Sequence, residues 1–376
     1  MKVLFLGWEF PPRSVGGLGT HSYNIIKALV KRGVQVSIIL PFTNHLKMEG
    51  VEFLTFESRA SSVYNLSEAA DNKNDVLYRD IFNEVEEYKN KAIELSSKTD
   101  FDVIHANDWV TGGAAIEIKN RTGKKLIATI HSTEYDRTAG KPWERISEEE
   151  KRLIDKADKV VTVSNRLKSE IMEIYGTDEK KINVIYNAIN REDGASVKKK
   201  NIERKVVLYI GRLSVQKGID NLIKAFKLVS EKDKGAVLYV VGEGSEMKNL
   251  IDLSINLELA DKVIFLGRAP EKEVERLYSI AKVFVMPSVS EPFGIVALEA
   301  MSARVPTIIS SQSGVSEVIK NTLKVDFWDI HQMADMIIGI LKYGGIKEEL
   351  STHAYEELSK VSWEKAADEF IRLYER

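Results

Sequence analysis

Short apolar runs bounded by glycine, proline or polar residues alternate along this chain with segments whose apolar positions recur at helical spacing, and the alternation starts over in the second half. That pattern folds as parallel strands joined by crossover helices. Strands are expected at residues 3–6, 34–40, 51–56, 103–105, 125–130, 160–163 and 182–185. A helix over 20–32 places Ile25, Ile26, Leu29 and Val30 on one face, and Gly33 ends it. A long charged helix is expected over about 76–98. Residues 191–204, with Gly194, Ser196 and the run Lys198-Lys199-Lys200, are nearly devoid of apolar side chains and read as a solvated linker. Beyond it, strands at 206–210, 237–241, 263–266, 283–286 and 307–310 alternate with helices at 219–232, 246–257, 271–281 and 295–303. The last segment, 362–374, carries Trp363, Ala366, Ala367, Phe370 and Leu373 at helical spacing.

The length of 376 residues exceeds what one hydrophobic core usually supports. The expected division is an α/β N-terminal domain over 1–192, a second α/β domain over 203–358, and a C-terminal helix over 359–376 packing back on the first. With 54 basic against 56 acidic residues, the charge gives no reason to propose nucleic acid or an anionic membrane as partner. The absence of cysteine excludes disulfides, thiolate metal sites and a cysteine nucleophile. The opening apolar run is too short for a signal peptide, and no stretch approaches the ~18 apolar residues of a membrane span. A cytoplasmic protein is expected.

In open parallel sheets, ligands bind beyond the carboxyl ends of the strands. Gly16-Gly17-Leu18-Gly19 opens the first helix, where glycines let backbone amides approach an anion. It departs from the dinucleotide fingerprint, because the segment from Gly7 to Val15 separates it from the strand. Gly211-Arg212-Leu213-Ser214-Val215-Gln216-Lys217-Gly218 also links a strand to a helix, and offers a planar guanidinium and a long-armed ammonium suited to a diphosphate. In the segment from Ser290 to Ala300, Glu291 lies before a helix and Glu299 within it, expected about two turns in. The amides near Phe293, Gly294 and Ile295 are free donors of that helix start. The two carboxylates are natural acceptors for vicinal hydroxyls of a sugar and a ribose. His131 follows the strand at 125–130 and His105 ends the strand at 103–105; each is either a site residue or a satisfied structural histidine. The six histidines show no metal-ligand spacing, and Asp100-Phe101-Asp102 precedes a strand, at the end away from the chemistry. No metal is expected.

Together with His105-Ala106-Asn107-Asp108-Trp109, the segment from Thr129 to Tyr135, and Val241-Gly242-Glu243-Gly244, these motifs give the chain a resemblance to a known family. It resembles retaining glycosyltransferases of the B fold, in the family-4 and glycogen or starch synthase group, over essentially its whole length. The resemblance implies two Rossmann-like domains facing an interdomain cleft, and transfer of a hexose, glucose above all, from a nucleotide diphosphate sugar to a glucan or small sugar acceptor. It implies no cofactor, with ADP-glucose or UDP-glucose as donor. Gly16 and Gly17 would lie against the donor phosphates, with Gly242, Gly244, Phe293, Gly294 and Ile295 also on the donor side. Arg212 and Lys217 would hold the diphosphate, Glu291 the sugar hydroxyls and Glu299 the ribose. His131 would stand near the anomeric carbon, with His105, Asp108 and Trp109 toward the acceptor. The strict synthases carry a lysine just before the paired glycines; Ser14-Val15 stand there in this chain, which points to the broader family-4 pattern.

Overall fold

The computed structural model describes residues 1–13, 16–43, 46–58, 75–190, 194, 197, 200 and 203–375, so most of the expected linker lies outside the described residues. The chain divides into two compact units, Met1–Asn187 with Trp363–Arg376, and Ala188–Ser362.

The first unit is built on seven strands: β1 (Lys2–Leu6), β2 (Gln35–Leu40), β3 (Val51–Thr55), β4 (Val103–Asn107), β5 (Lys125–Ile130), β6 (Lys159–Thr162) and β7 (Ile182–Val184). They lie in the order β3-β2-β1-β4-β5-β6-β7 and every pairing is parallel. Its helices are α1 (Gly17–Lys31), α2 (Asp75–Ser96), α3 (Trp109–Thr122), α4 (Glu134–Arg137), α5 (Glu144–Lys156) and α6 (Asn165–Tyr175). A parallel sheet covered by helices on both faces needs strands that are apolar on both sides. Accordingly Val3, Leu4, Phe5 and Leu6 are all buried, as is every residue of β4. The strand order reverses between β1 and β4, the point at which open parallel sheets bind ligands beyond the strands' carboxyl ends.

The second unit repeats the plan with β8 (Lys205–Ile210), β9 (Ala236–Val241), β10 (Val263–Gly267), β11 (Ala281–Met286), β12 (Thr307–Ser310) and β13 (Leu323–Val325). The order is β10-β9-β8-β11-β12-β13, again all parallel. The helices are α7 (Ile219–Lys232), α8 (Met247–Asn256), α9 (Glu271–Ile280), α10 (Ile295–Ser302), α11 (Val315–Val318), α12 (Ile330–Lys342) and α13 (Gly344–Glu357). Phe226, Ile223 and Val229 of α7 pack with Met333 and Ile337 of α12 over one face of the sheet. Each such side chain taken from water contributes roughly 1.5–3 kcal/mol.

A last helix, α14 (Trp363–Glu375), returns the chain to the first unit, where it packs on α1 and β5. Phe370 lies under the ring of His105 at 5.0 Å. The Tyr374 hydroxyl meets His105 Nδ1 at 2.6 Å, and Thr129 Oγ1 meets Nε2 at 2.8 Å. Burial holds the His105 pKa well below its usual value, so the ring is neutral, with one nitrogen donating and the other accepting. Outside this apolar contact, Arg32 pairs with Asp368 at 2.7 Å on the exposed edge. Tyr374→Phe leaves a fully buried His105 nitrogen unpaired and is expected to cost about 1–3 kcal/mol, read from the denaturant midpoint, with the helix still formed.

Among the described residues no helix is long and apolar enough to cross a membrane. Asp100 and Asp102 sit where the sequence places them, at the amino end of β4. Asp100 pairs with the Lys2 ammonium at 2.6 Å, and Asp102 accepts from the Lys2 amide at 2.8 Å.

Candidate functional site

In the first unit the chain leaves β5 at Ile130 and presents His131 at once. Three neighbours hold it. The His131 amide donates to Asp108 Oδ1 at 2.7 Å, and its ring Nε2 meets Asn107 Oδ1 at 3.2 Å. The ring of His21, on α1, abuts it edge to face at 4.5 Å. Asp108, the cap of α3, takes φ 56° and ψ 174°, a conformation that L-residues rarely adopt. That geometry turns its carboxylate back onto the His131 amide. Burial pushes the His131 pKa down to about 3, and that of His21 well below the usual value, so both rings are neutral in the physiological range. The turn after His131 is anchored from below. Thr133 and Asp136 form a capping box for α4, and the Arg137 guanidinium donates to the Ser132 carbonyl at 2.9 Å.

Helix α1 begins at the exposed pair Gly16 and Gly17, with no side-chain cap and no acidic residue in its first turn. A Cβ on Gly16 would meet nothing within 4 Å, so no protein neighbour requires glycine there. Uncapped amides and the positive end of a helix dipole suit an anion. Ser14 and Val15 lie outside the described residues.

In the second unit the loops after β8 and β11 are stitched together beside the strand-order reversal. Val289 donates its amide to the Gln216 carbonyl at 2.9 Å, and Gly218, at φ 61°, lies so close to Pro287 that a Cβ would stand 2.4 Å from its carbonyl oxygen. The result brings Lys217 and Glu291 together. The ammonium meets Glu291 Oε2 at 2.7 Å, and Ser288 Oγ donates to the same oxygen at 3.0 Å. The backbone of Glu291 bonds to Gln312 and Gly314, so the loop after β12 fixes it from the far side. Arg212 is half-buried on the same loop as Lys217, and its carbonyl accepts from the Tyr209 hydroxyl at 2.7 Å. Gly294 caps α10 at φ 105°, with Phe293 and Ile295 buried beside it. Glu299 is the fifth residue of α10, one turn in rather than two, and accepts from the Tyr278 hydroxyl at 3.3 Å.

Some expected site residues serve packing. His105 is fully buried with both nitrogens engaged, as a packed core histidine is. Trp109 is likewise buried, its ring 5.8 Å from Phe82. Gly242 and Gly244 have a backbone reason to be glycine. A Cβ at Gly242 would lie 1.8 Å from the Gly211 carbonyl oxygen, and one at Gly244 2.3 Å from that of Leu213. The two loops are joined there by Leu213 N to Glu243 O at 2.9 Å. Gly242→Ala, at φ 137°, is therefore expected to displace the Gly211–Lys217 loop and to lower the denaturant midpoint, whereas Gly16→Ala leaves the fold unchanged. Asn107 and His21 carry no expectation from sequence alone. The signal for Asn107 lay inside the quoted His105–Trp109 motif, but its partners are distant in sequence.

Two all-parallel sheets in Rossmann order, with cationic and glycine-bearing loops at their carboxyl ends, define a doubly wound α/β protein whose ligands bind at those ends. Comparison with known proteins sharpens this. The family model for "Glycosyltransferase Family 4" matches residues 15–193, and that for "Glycosyl transferases group 1" matches 190–357. An uncharacterized glycosyltransferase of Methanocaldococcus jannaschii is 32% identical, covering 100% of this chain and 98% of that protein. A glycogen synthase of Mycobacterium tuberculosis is 28% identical over 85% of this chain and 80% of its own length. Among solved structures, the sucrose-phosphate synthase of Thermosynechococcus elongatus is similar at a TM-score of 0.80 and 21% identity, covering 100% of this chain and 98% of that one. The chain belongs to the family-4, glycogen synthase-like glycosyltransferases of the B fold.

Proposed function

We propose that the protein is a metal-independent, retaining hexosyltransferase that moves glucose from a nucleotide diphosphate donor, UDP-glucose or ADP-glucose, to a glucan or other sugar acceptor. The observation that carries this reading is the contact of Lys217 with Glu291 where the loops after β8 and β11 meet. A cation and a carboxylate held at one point suit a ligand with a phosphate at one end and sugar hydroxyls at the other. In the structure the two groups satisfy each other.

Lys217 and Arg212 are assigned to the diphosphate, Glu291 to hydroxyls of the transferred sugar and Glu299 to the ribose. Gly16 and Gly17 are assigned to the donor phosphates, and Phe293, Gly294 and Ile295 to the donor side. His131 and Asp108 are assigned to the reacting end of the sugar. In the proposed step the bond between the anomeric carbon and the phosphate oxygen breaks, and the oxygen keeps the electron pair. The acceptor hydroxyl forms its new bond on the same face, and its proton passes to the departing phosphate, giving net retention. The protein contributes position and charge stabilisation. His131, neutral in the working range, contributes as a dipole and hydrogen-bonding group, not as a proton source.

A second reading, transfer of a different sugar or to a small-molecule acceptor, draws support from the family-4 model matching 15–193, the half assigned to the acceptor. A donor screen with purified protein tests both, scoring free nucleotide diphosphate with and without glycogen, maltose or glucose phosphate. Release from UDP-glucose or ADP-glucose that depends on glycogen or maltose supports the first reading; release only with another donor or with a phosphosugar supports the second. Conversion of the donor with no acceptor present contradicts both.

A further inference from the structure

We propose that Asn107 is a positioning residue that holds His131 as its Nε2–H tautomer, so that Nδ1 is left as the acceptor for a hydroxyl of the transferred sugar. The Asn107 amide is fully buried. Its Nδ2 donates to the Leu6 carbonyl at 3.2 Å, and a carbonyl can only accept. Oδ1 is thereby turned toward His131, whose Nε2 stands 3.2 Å away. An amide oxygen also only accepts, so the proton of a neutral imidazole must sit on Nε2.

The ring stays neutral because burial penalises its charged form. Nδ1 therefore carries a lone pair. Among the described residues no group hydrogen-bonds it, and His131 keeps part of its surface open to solvent. His21, whose ring abuts that of His131, does not present the same group, being fully buried. Its Nδ1 is engaged with Asn187 Oδ1 at 2.7 Å, and its buried Nε2 is without a partner. The main chain is held in parallel, since Asp108 takes the His131 amide. Adjacent residues at the end of β4 thus fix the ring and the backbone of one histidine.

A site that accepts selects a ligand group that donates, and a sugar hydroxyl is such a group where an ether or carbonyl oxygen is not. The identity of the ligand rests on the functional reading above; the tautomer does not.

The test is nitrogen-detected NMR of the full chain with ¹⁵N-labelled histidine. In the free protein His131 is expected to show a protonated, pyrrole-like Nε2 and a pyridine-like Nδ1; a protonated Nδ1 or an imidazolium overturns the assignment. Asn107→Leu is expected to shift the protonated character toward Nδ1, and an unchanged tautomer removes the role of Asn107. If Asn107→Leu does not fold, Asn107→Asp retains an acceptor oxygen and should keep Nε2 protonated, whereas loss of that proton overturns the proposal. Addition of UDP-glucose or ADP-glucose is expected to shift Nδ1 toward the hydrogen-bonded position, while UDP or ADP alone does not. The absence of any shift specific to the sugar nucleotide overturns the hydroxyl assignment. Failure of the transferase reading would appear separately, as absent nucleotide release in the donor screen, with the tautomer of the free chain unaffected.

Discussion

Arg212→Ala and Lys217→Ala are each expected to lower kcat by about 100- to 1000-fold, with the fold intact by circular dichroism. The magnitude follows from the proposed reaction, in which charge accumulates on the departing diphosphate and the protein meets it with groups already in place. Removing one such preorganised donor typically costs roughly 3–4 kcal/mol in the barrier. Because that charge develops as the bond breaks, kcat should fall more than KM rises. The structure adds a constraint on how the substitutions combine. Lys217 and Glu291 touch at 2.7 Å, so Lys217→Ala with Glu291→Gln should cost less than the sum of the single effects. Near-normal kcat in both single variants would refute the assignment.

The largest stability effect is expected from Arg137→Met. Arg137 lies in the first unit with its side chain 3% exposed, between Glu134 at 1% and Glu150 at 2%. It donates to Glu134 Oε2 at 2.9 Å and pairs with Glu150, which also accepts from the Tyr175 hydroxyl and from the Glu134 amide. Removing one partner from a buried ion pair costs about 3–5 kcal/mol, because the charge left behind has lost both water and its counter-ion.

Burial already raises the folded-state pKa of both glutamates above the ordinary 4.5, so the folded chain holds these protons more tightly than the unfolded one. Stability from them is therefore full below pH 4.5 and is lost as the pH rises through the folded values. Without Arg137 that loss should deepen, so the Arg137→Met defect should shrink as the pH is lowered toward 4.5 in denaturant titrations. A replacement of all three residues by apolar side chains should cost less than Arg137→Met alone. The cluster also holds the Ser132 carbonyl, one residue from His131, so surviving Arg137→Met protein should turn over slowly.

The strands were legible because a parallel sheet buried on both faces must be written in continuous apolar runs, and few other structures demand that. Helix α3 was not. Its first two turns bury Trp109, Val110, Thr111, Gly112, Ala114 and Ala115, so they have no polar face to impose a helical period. Gly112 marks a close approach, since a Cβ there would stand 3.1 Å from Leu153 of α5 and the two would have to shift apart. The same double burial misleads at His105. Where both faces of a strand are covered, alternation does not say which way a side chain points, and the ring turned out to lie between Phe5 and Phe370. His131 was easier to place, since a residue that directly follows a strand stands at the carboxyl edge whichever face the strand presents. The pairing of Asn107 with Leu6 and the crowding of Gly242 against Gly211 are contacts between distant segments, and nothing local in the chain announces them.

The most direct measurement is a crystal structure of the chain with UDP-glucose or ADP-glucose bound. The account predicts the diphosphate within about 2.7–3.2 Å of the Arg212 and Lys217 nitrogens, with Lys217 released from Glu291 and that carboxylate accepting from sugar hydroxyls. A nucleotide sugar seated elsewhere, with the Lys217–Glu291 contact unbroken, would contradict it.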